Sequence, residues 1–375
     1  MREVRCTSAK TSHVWAAVLD DNEQESRKLA QLLASEDLGV DALTPAGNLE
    51  ETVRLVLSAV AQHSEEEAVV VLFDYRLDDR GDVGFRGGTV ASAFKEKEPT
   101  VPVVLLTTDE KLHRWVETRP GVQEVFDWRL LKSEINSERD SVRAKIIDLG
   151  RGWKLLREAA DSGTDVWEIL AESLGVDRAD VATFEEVELD PPMPNVPGAL
   201  ALWMLHGPLK WPGPLLDEPD TRVLCGLTTA DFQRPEVQGW LEAASYSGPF
   251  QAFGRRWWSA AVRDLVAGLS RPPPADATAR ASALGTALGI DLQAEGCSWC
   301  GQPRTMRACA VCRCAVDAAH SLRLLTDRPP AWADAPVVCF RCVADGSADG
   351  ERLARGNEDV AQGLRDGSIG SPLVS

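Results

Sequence analysis

Three nearly uninterrupted aliphatic runs constrain the first third of this chain most: His13-Val-Trp-Ala-Ala-Val-Leu19, Ala68-Val-Val-Val-Leu-Phe73 and Val101-Pro-Val-Val-Leu-Leu106. Each has strand length, is rich in β-branched residues and shows no polar alternation, so a strand formed there must be covered on both faces. Helical periodicity separates the runs. Leu29, Leu32 and Leu33 share one face of a segment from Ser26 to Ser35, and Val53, Val56, Leu57 and Val60 share one face from Thr52 to Ala61. Further strands are expected around Val40 to Leu43 and from Val122 to Phe126. Strands alternating with amphipathic helices predict a parallel sheet with helices on both faces.

Chemistry-bearing residues follow these strands. Asp20 and Asp21 follow the first run, Asp74 ends the second, Thr107 and Thr108 end the third, and Lys132 comes just after the last. In an open parallel sheet the carboxyl ends of the strands line the ligand crevice, so these side chains are expected to converge. Three neighbouring carboxylates repel one another unless a hard cation joins them, and Mg²⁺ is the natural choice. A lysine and a hydroxyl beside it suit a transferred phosphoryl group. Asp74 is the expected nucleophile, forming an aspartyl phosphate.

This ordered set resembles the response-regulator receiver domain over about residues 12–135. The resemblance implies a flavodoxin-like α/β fold, a doubly wound parallel sheet of five strands. It implies Asp74 as phosphoacceptor, and Mg²⁺ held by Asp20, Asp21, Asp74 and the carbonyl of Arg76. Thr107 or Thr108 and Lys132 would contact the phosphoryl group, with Phe126 or Trp128 as the aromatic switch residue. A histidine kinase or another phosphodonor would be the partner. The family usually has proline after the lysine, where this chain has Ser133, and the loop after Asp74 is long and charged.

Beyond this third the reading is coarser. Val142, Ile146, Leu149, Trp153 and Leu156 form the apolar stripe of a helix. Its docking on the chain's own receiver is expected over a dimer seam. Thr164 or Asp165 would cap a further helix from Val166 to Gly175. Proline-dense stretches at 190–198 and 270–276 read as linkers. The expected organisation is therefore a helical connector at 136–190, a mainly helical middle domain at 198–269, a cysteine-rich module at 295–344 and a partly disordered tail at 345–375. The middle domain carries a weak helix-turn-helix pattern from Val223 to Leu241. Arg255 and Arg256 precede tryptophans there, but a small helical core explains them better than base stacking.

Seven of the nine cysteines fall between Cys297 and Cys342, mostly in CxxC pairs, which reads as metal binding in a reducing cytoplasm. Cys297 and Cys300, Cys309 and Cys312, Cys314 and His320, and Cys339 and Cys342 supply eight ligands, enough for two tetrahedral Zn²⁺ ions of structural kind. The spacing is similar to cross-brace RING and PHD modules, in which the first and third pairs share one ion and the second and fourth the other. A simpler alternative joins Cys297, Cys300, Cys339 and Cys342.

With 40 basic against 58 acidic residues the chain carries −18, which disfavours nucleic-acid binding as its main role. The sequence has no apolar run of membrane-spanning length and no signal-peptide core, so a cytoplasmic protein is expected. The leading expectation is phosphorelay signalling, with the helical and zinc domains passing the state of Asp74 to an output protein. A DNA-binding transcriptional regulator and a non-phosphorylated pseudo-receiver scaffold are the alternatives. No separate catalytic motif is found, which leaves at most self-dephosphorylation as an activity.

Overall fold

The computed structural model describes residues 13–64, 67–77, 84–108, 125–161, 168, 171, 198–303, 306–324, 333, 335–348 and 353–370. The helix expected from Val166 to Gly175 and most of the linker at 190–198 lie outside them. The described residues divide into two compact units. One is N-terminal and also includes residues 198–205 and 247–253; the other contains 206–246 and the described residues from 254 on.

In the N-terminal unit five strands run parallel in the order β2-β1-β3-β4-β5. They are β1 (Val14–Leu19), β2 (Leu38–Leu43), β3 (Ala68–Asp74), β4 (Val103–Thr107) and β5 (Trp128–Leu131). The three aliphatic runs are the three central strands, each buried along its whole length. β2 and β5 are the edges and are only partly covered, consistent with their more mixed sequences. The last strand lies later than expected. Val125 and Phe126 precede it, and Trp128–Leu131 makes the ladder, opposite Val104–Thr107.

Side chains alternate between the two faces. Trp15, Ala17, Leu19, Val69, Val71 and Phe73 share a core with α2 (Leu49–His63) and α3 (Gly87–Lys95). The first helix, α1 (Glu23–Leu33), is capped by Asn22, whose side chain accepts the Glu25 N–H. A short α4 (Lys132–Ser137) leads into α5 (Arg139–Asp161). The apolar stripe of α5 is buried, and Gly150 brings its backbone so close to the sheet that an added Cβ would lie 2.9 Å from Val14 and 3.1 Å from Val70. The stripe thus packs within the chain, and the first unit runs past residue 135, where the sequence reading ended it. Residues 247–253 belong to the same unit. Asp148 accepts the Ala252 N–H at 2.7 Å, and Phe253 meets Trp128 edge-on at 5.1 Å.

The second unit includes the short helices α7 (Glu218–Cys225), α8 (Thr229–Phe232), α9 (Pro235–Leu241), α10 (Ser259–Ala267) and α11 (Ala277–Leu288), α6 (Ala199–His206) having come before them in the chain. Phe232, Leu241, Trp257 and Leu284 lie in their common core. Gly226 ends α7 in the left-handed conformation and Thr228 caps α8. Arg255 bonds Gln238 and Glu242, and the Arg256 guanidinium donates to the Leu209 carbonyl. Both arginines are thus held by the chain itself.

The cysteine-rich region follows with two short antiparallel pairs, β8 with β9 and β10 with β11. Their strands are β8 (Met306–Ala308), β9 (Ala315–Asp317), β10 (Ser321–Arg323) and β11 (Val337–Cys339); the two-residue strands β6 (Leu215–Leu216) and β7 (Trp257–Trp258) pair earlier in this unit. Two helices close the region, α12 (Phe340–Ala344) and α13 (Glu358–Arg365). α13 is a folded part of the stretch expected to be partly disordered, with Ala361 and Leu364 buried in the same core as Cys297, Cys309 and Cys339, and residues 371–375 lie outside the described residues. The Gly- and Asp-rich flanks hide a short amphipathic helix that gains an apolar partner only in the folded unit.

Candidate functional site

The strand ends converge as the parallel order requires. Asp20 follows β1 and Asp74 ends β3, its immediate neighbour, and the two are 1% and 6% exposed. The carboxylates of Asp20, Asp21 and Asp74 offer oxygens that all lie within 4.8 Å of one another. Lys132, the first residue after β5, bridges two of them: its Nζ lies 2.7 Å from Asp20 Oδ2 and 2.9 Å from Asp74 Oδ1. The remaining Asp20 oxygen accepts the Asn22 N–H at 2.8 Å, which ties the acid to the start of α1. Thr107 ends β4 and is buried, whereas Thr108 is exposed. All these residues, with Arg76, line one solvent-open crevice.

Electrostatics follow from this crowding. Burial pushes the Asp74 carboxyl above its ordinary range; Lys132 opposes the shift, and Asp20 and Asp21 reinforce it. Burial alone would depress the Lys132 ammonium, but the charges and hydrogen bonds of Asp74 and Asp20 outweigh it and hold the amine above its usual value. One buried cation thus faces three acids, leaving an excess of negative charge. A divalent cation with oxygen ligands suits that donor set. Serine after the lysine does not displace it. Lys132 opens α4, and the Glu134 side chain accepts the Leu131 N–H at 3.1 Å, securing the turn.

The two aromatic candidates sit elsewhere. Phe126 is packed in the core with Val103 and Leu105, before the strand. Trp128 pairs with Val104, three residues short of the Thr107–Leu131 pair at the crevice. At about 3.3 Å of rise per residue that is roughly 10 Å from the strand ends, so neither ring borders the acids.

Sequence reasoning missed three residues. Asn22 and Glu25 line the crevice from the first turn of α1. Gly87 opens α3 so close to the end of β3 that a Cβ there would lie 1.9 Å from the Asp74 carbonyl oxygen. The Gly-Gly before Thr89 was the available signal, since glycine often marks close backbone approach.

The second unit brings its cysteines together in two groups. Cys309, Cys312, Cys339 and Cys342 form one, and Cys297, Cys300 and His320 the other. In the first group Cys309 and Cys342 sulfurs are 4.0 Å apart, and those of Cys312 and Cys339 3.7 Å. A zinc tetrahedron with Zn–S bonds of about 2.3 Å has edges of roughly 3.8 Å, so the set fits that ion. Burial raises the Cys312 and Cys342 thiols, Cys342 to about 12, and Cys339 is raised chiefly by its hydrogen bond with Cys309. That same bond draws Cys309 down to about 4. Zinc binding there would displace the protons these thiols hold. The simpler alternative, Cys297 and Cys300 with Cys339 and Cys342, does not form. Cys314 also lies outside both groups. Its carbonyl accepts the Cys309 N–H and its thiol points back to the Cys312 carbonyl, so it closes the knuckle instead of joining a cluster.

No protein-family model matches the sequence, and no curated protein matches it. Solved structures similar to its N-terminal third include receiver domains of response regulators. One is a receiver domain protein from Clostridium thermocellum, at 18% identity over 36% of this chain and 94% of that chain, with a TM-score of 0.27. The receiver domain of Francisella response regulator 1452 matches at 15% over the same shares, with a TM-score of 0.26. That of NtrX from Brucella abortus matches at 16% over 33% of this chain and 94% of that chain, with a TM-score of 0.25. The functional reading rests on the strand order and the side chains themselves.

Proposed function

We propose that this chain is a response-regulator-like signalling protein that takes a phosphoryl group on Asp74. The observation that carries the reading is the meeting of Asp20, Asp21 and Asp74 within 4.8 Å, with Lys132 bridging Asp20 and Asp74. An Asp74 carboxylate oxygen attacks the phosphorus of a phosphohistidine or small acyl phosphate. The new P–O bond forms as the bond to the donor breaks, and the donor leaves with its electron pair. Lys132 turns from Asp74 toward the transferred oxygens and neutralises their charge, and Thr107 or Thr108 donates a hydrogen bond to them. Mg²⁺ would be held by Asp20, Asp21, Asp74 and the Arg76 carbonyl, where it supplies charge neutralisation. The zinc reading of the cysteine groups makes them structural supports for an output region that contacts a partner protein. Among the described residues no helix is long and apolar enough to cross a membrane.

Intact-protein mass after incubation with Mg²⁺ and acetyl phosphate tests this. A phosphoryl adduct on wild type and none on Asp74→Ala is the expected result. Absence of an adduct with acetyl phosphate and with a phosphorylated histidine kinase domain, on folded protein, would refute phosphoacceptance and leave the scaffold reading.

A further inference from the structure

The two cysteine groups differ in a way that their spacing does not announce. The knuckles Cys297–Cys300 and Cys309–Cys312 are built alike. Each is followed by a residue in the left-handed conformation, Gly301 at φ 72° and Arg313 at φ 61°. Each is closed by that residue's N–H, to the Cys297 carbonyl at 2.8 Å and to the Cys309 carbonyl at 2.9 Å. A backbone N–H also meets the first sulfur of each, Asp317 to Cys297 at 3.4 Å and Cys339 to Cys309 at 3.3 Å. Such donors stabilise a thiolate. Both knuckles are therefore prepared for metal, but one has four protein ligands and the other three.

The third ligand of the smaller group is firmly placed. His320 ends a short 3₁₀ turn that Asp317 caps through the Ala319 N–H. Its ring lies edge-on to Phe340 at 5.9 Å, and Phe340 in turn meets Trp299, inside the knuckle, at 5.7 Å. Its Nδ1 is 3.6 Å from the Cys297 sulfur. Zn–S and Zn–N bonds of about 2.3 and 2.05 Å at the tetrahedral angle require roughly that separation. Two side chains near in sequence could complete the set, and both have other contacts. Cys314 points to the Cys312 carbonyl, and one Asp317 carboxylate oxygen is the cap of the 3₁₀ turn. Among the described residues no fourth ligand atom joins the three. Cys300 and His320 are half-buried, as is Cys312 of the larger group, so water reaches residues of both.

We infer that Cys297, Cys300 and His320 hold a second zinc ion whose fourth position takes an exchangeable ligand, a water that a small anion can displace. The inference rests on the zinc reading of the thiol groups. It makes the two centres unequal: one closed by four sulfurs and structural, the other of the Cys₂His kind that keeps a site open.

Native mass spectrometry and cobalt substitution on the full-length reduced protein test it. Two zinc ions per chain are expected. After exchange into Co²⁺, azide should shift the visible d–d absorption of one of the two ions and leave the other unchanged. His320→Ala should bind one ion, with a cobalt spectrum that azide does not move. A single ion in wild type, or two cobalt ions both indifferent to azide, would overturn the inference while leaving the four-sulfur centre standing. No bound metal at all would overturn the zinc reading as a whole. The wild-type titration decides the matter even where His320→Ala unfolds the region.

Discussion

Removing Lys132 probes the acidic crevice most directly. Its ammonium is the cation that bridges Asp20 and Asp74, and all three side chains are nearly withdrawn from solvent. Removing one partner of a buried ion pair costs about 3–5 kcal/mol, because the remaining charge stays buried. Water reaches this crevice from its open side, so the lower end, about 3 kcal/mol, is the expected loss for Lys132→Ala near pH 8 without added metal. The sign with pH is fixed by the same geometry. Burial already raises Asp74, and Lys132 is the chief influence lowering it. Without the lysine the folded-state pKa climbs further above the unfolded value of 3.8. Between those two values the native state binds more protons than the unfolded one, so stability falls as pH rises. The variant should therefore be close to wild type near pH 4 and furthest from it near pH 8. Saturating Mg²⁺ should restore part of the loss, since about 2.7 kcal/mol accompanies a ligand at a hundredfold its Kd. Urea unfolding at pH 4, 6 and 8, with and without Mg²⁺, measures all of this. A difference from wild type that is the same at every pH and indifferent to Mg²⁺ would refute the ionic account of the crevice.

Other substitutions reach the remaining features. Gly87→Ala places a methyl 1.9 Å from the Asp74 carbonyl oxygen, a backbone atom with little room to yield. It should cost about 1–3 kcal/mol and reduce the yield of phosphoryl adduct on Asp74 in intact-mass assays. Burial also raises Asp148, against the N–H groups of Ala252 and Phe250. Its contribution is present below the ordinary carboxylate pKa and is lost as pH rises through the raised one, so Asp148→Asn should flatten the fall of Tm between pH 4 and 8. Cys342→Ser opens the four-sulfur group, and the expected outcome is loss of one zinc from the native mass spectrum together with a lower Tm for the C-terminal transition.

Much of the acidic crevice was readable because one rule places it. A parallel strand that ends in an acid delivers that acid to the same edge as its neighbours, so Asp20, Asp74, Thr107 and Lys132 could be gathered before any distance was known. The aromatic pair does not share that edge, for the same reason of geometry. Phe126 and Trp128 precede or begin β5, and only the register of that strand against Val104–Thr107 shows how far they lie from its carboxyl end. The glycines at 87 and 88 hint at a close backbone approach, but only the fold shows that the Asp74 carbonyl is what comes near Gly87.

The sequence by itself determined the central strands, the amphipathic helices between them and the thiol knuckles, all of which depend on residues a few positions apart. Tertiary structure alone decided partners. An apolar stripe specifies a face but not what covers it, so the sheet under Gly150 and the docking of residues 247–253 beside Asp148 could come only from the fold. Eight metal-ligand candidates allow several pairings of equal chemistry. The knuckle turn at Arg313, beside which the Cys314 thiol turns toward the Cys312 carbonyl, leaves one group of four candidate ligands and another of three among the described residues.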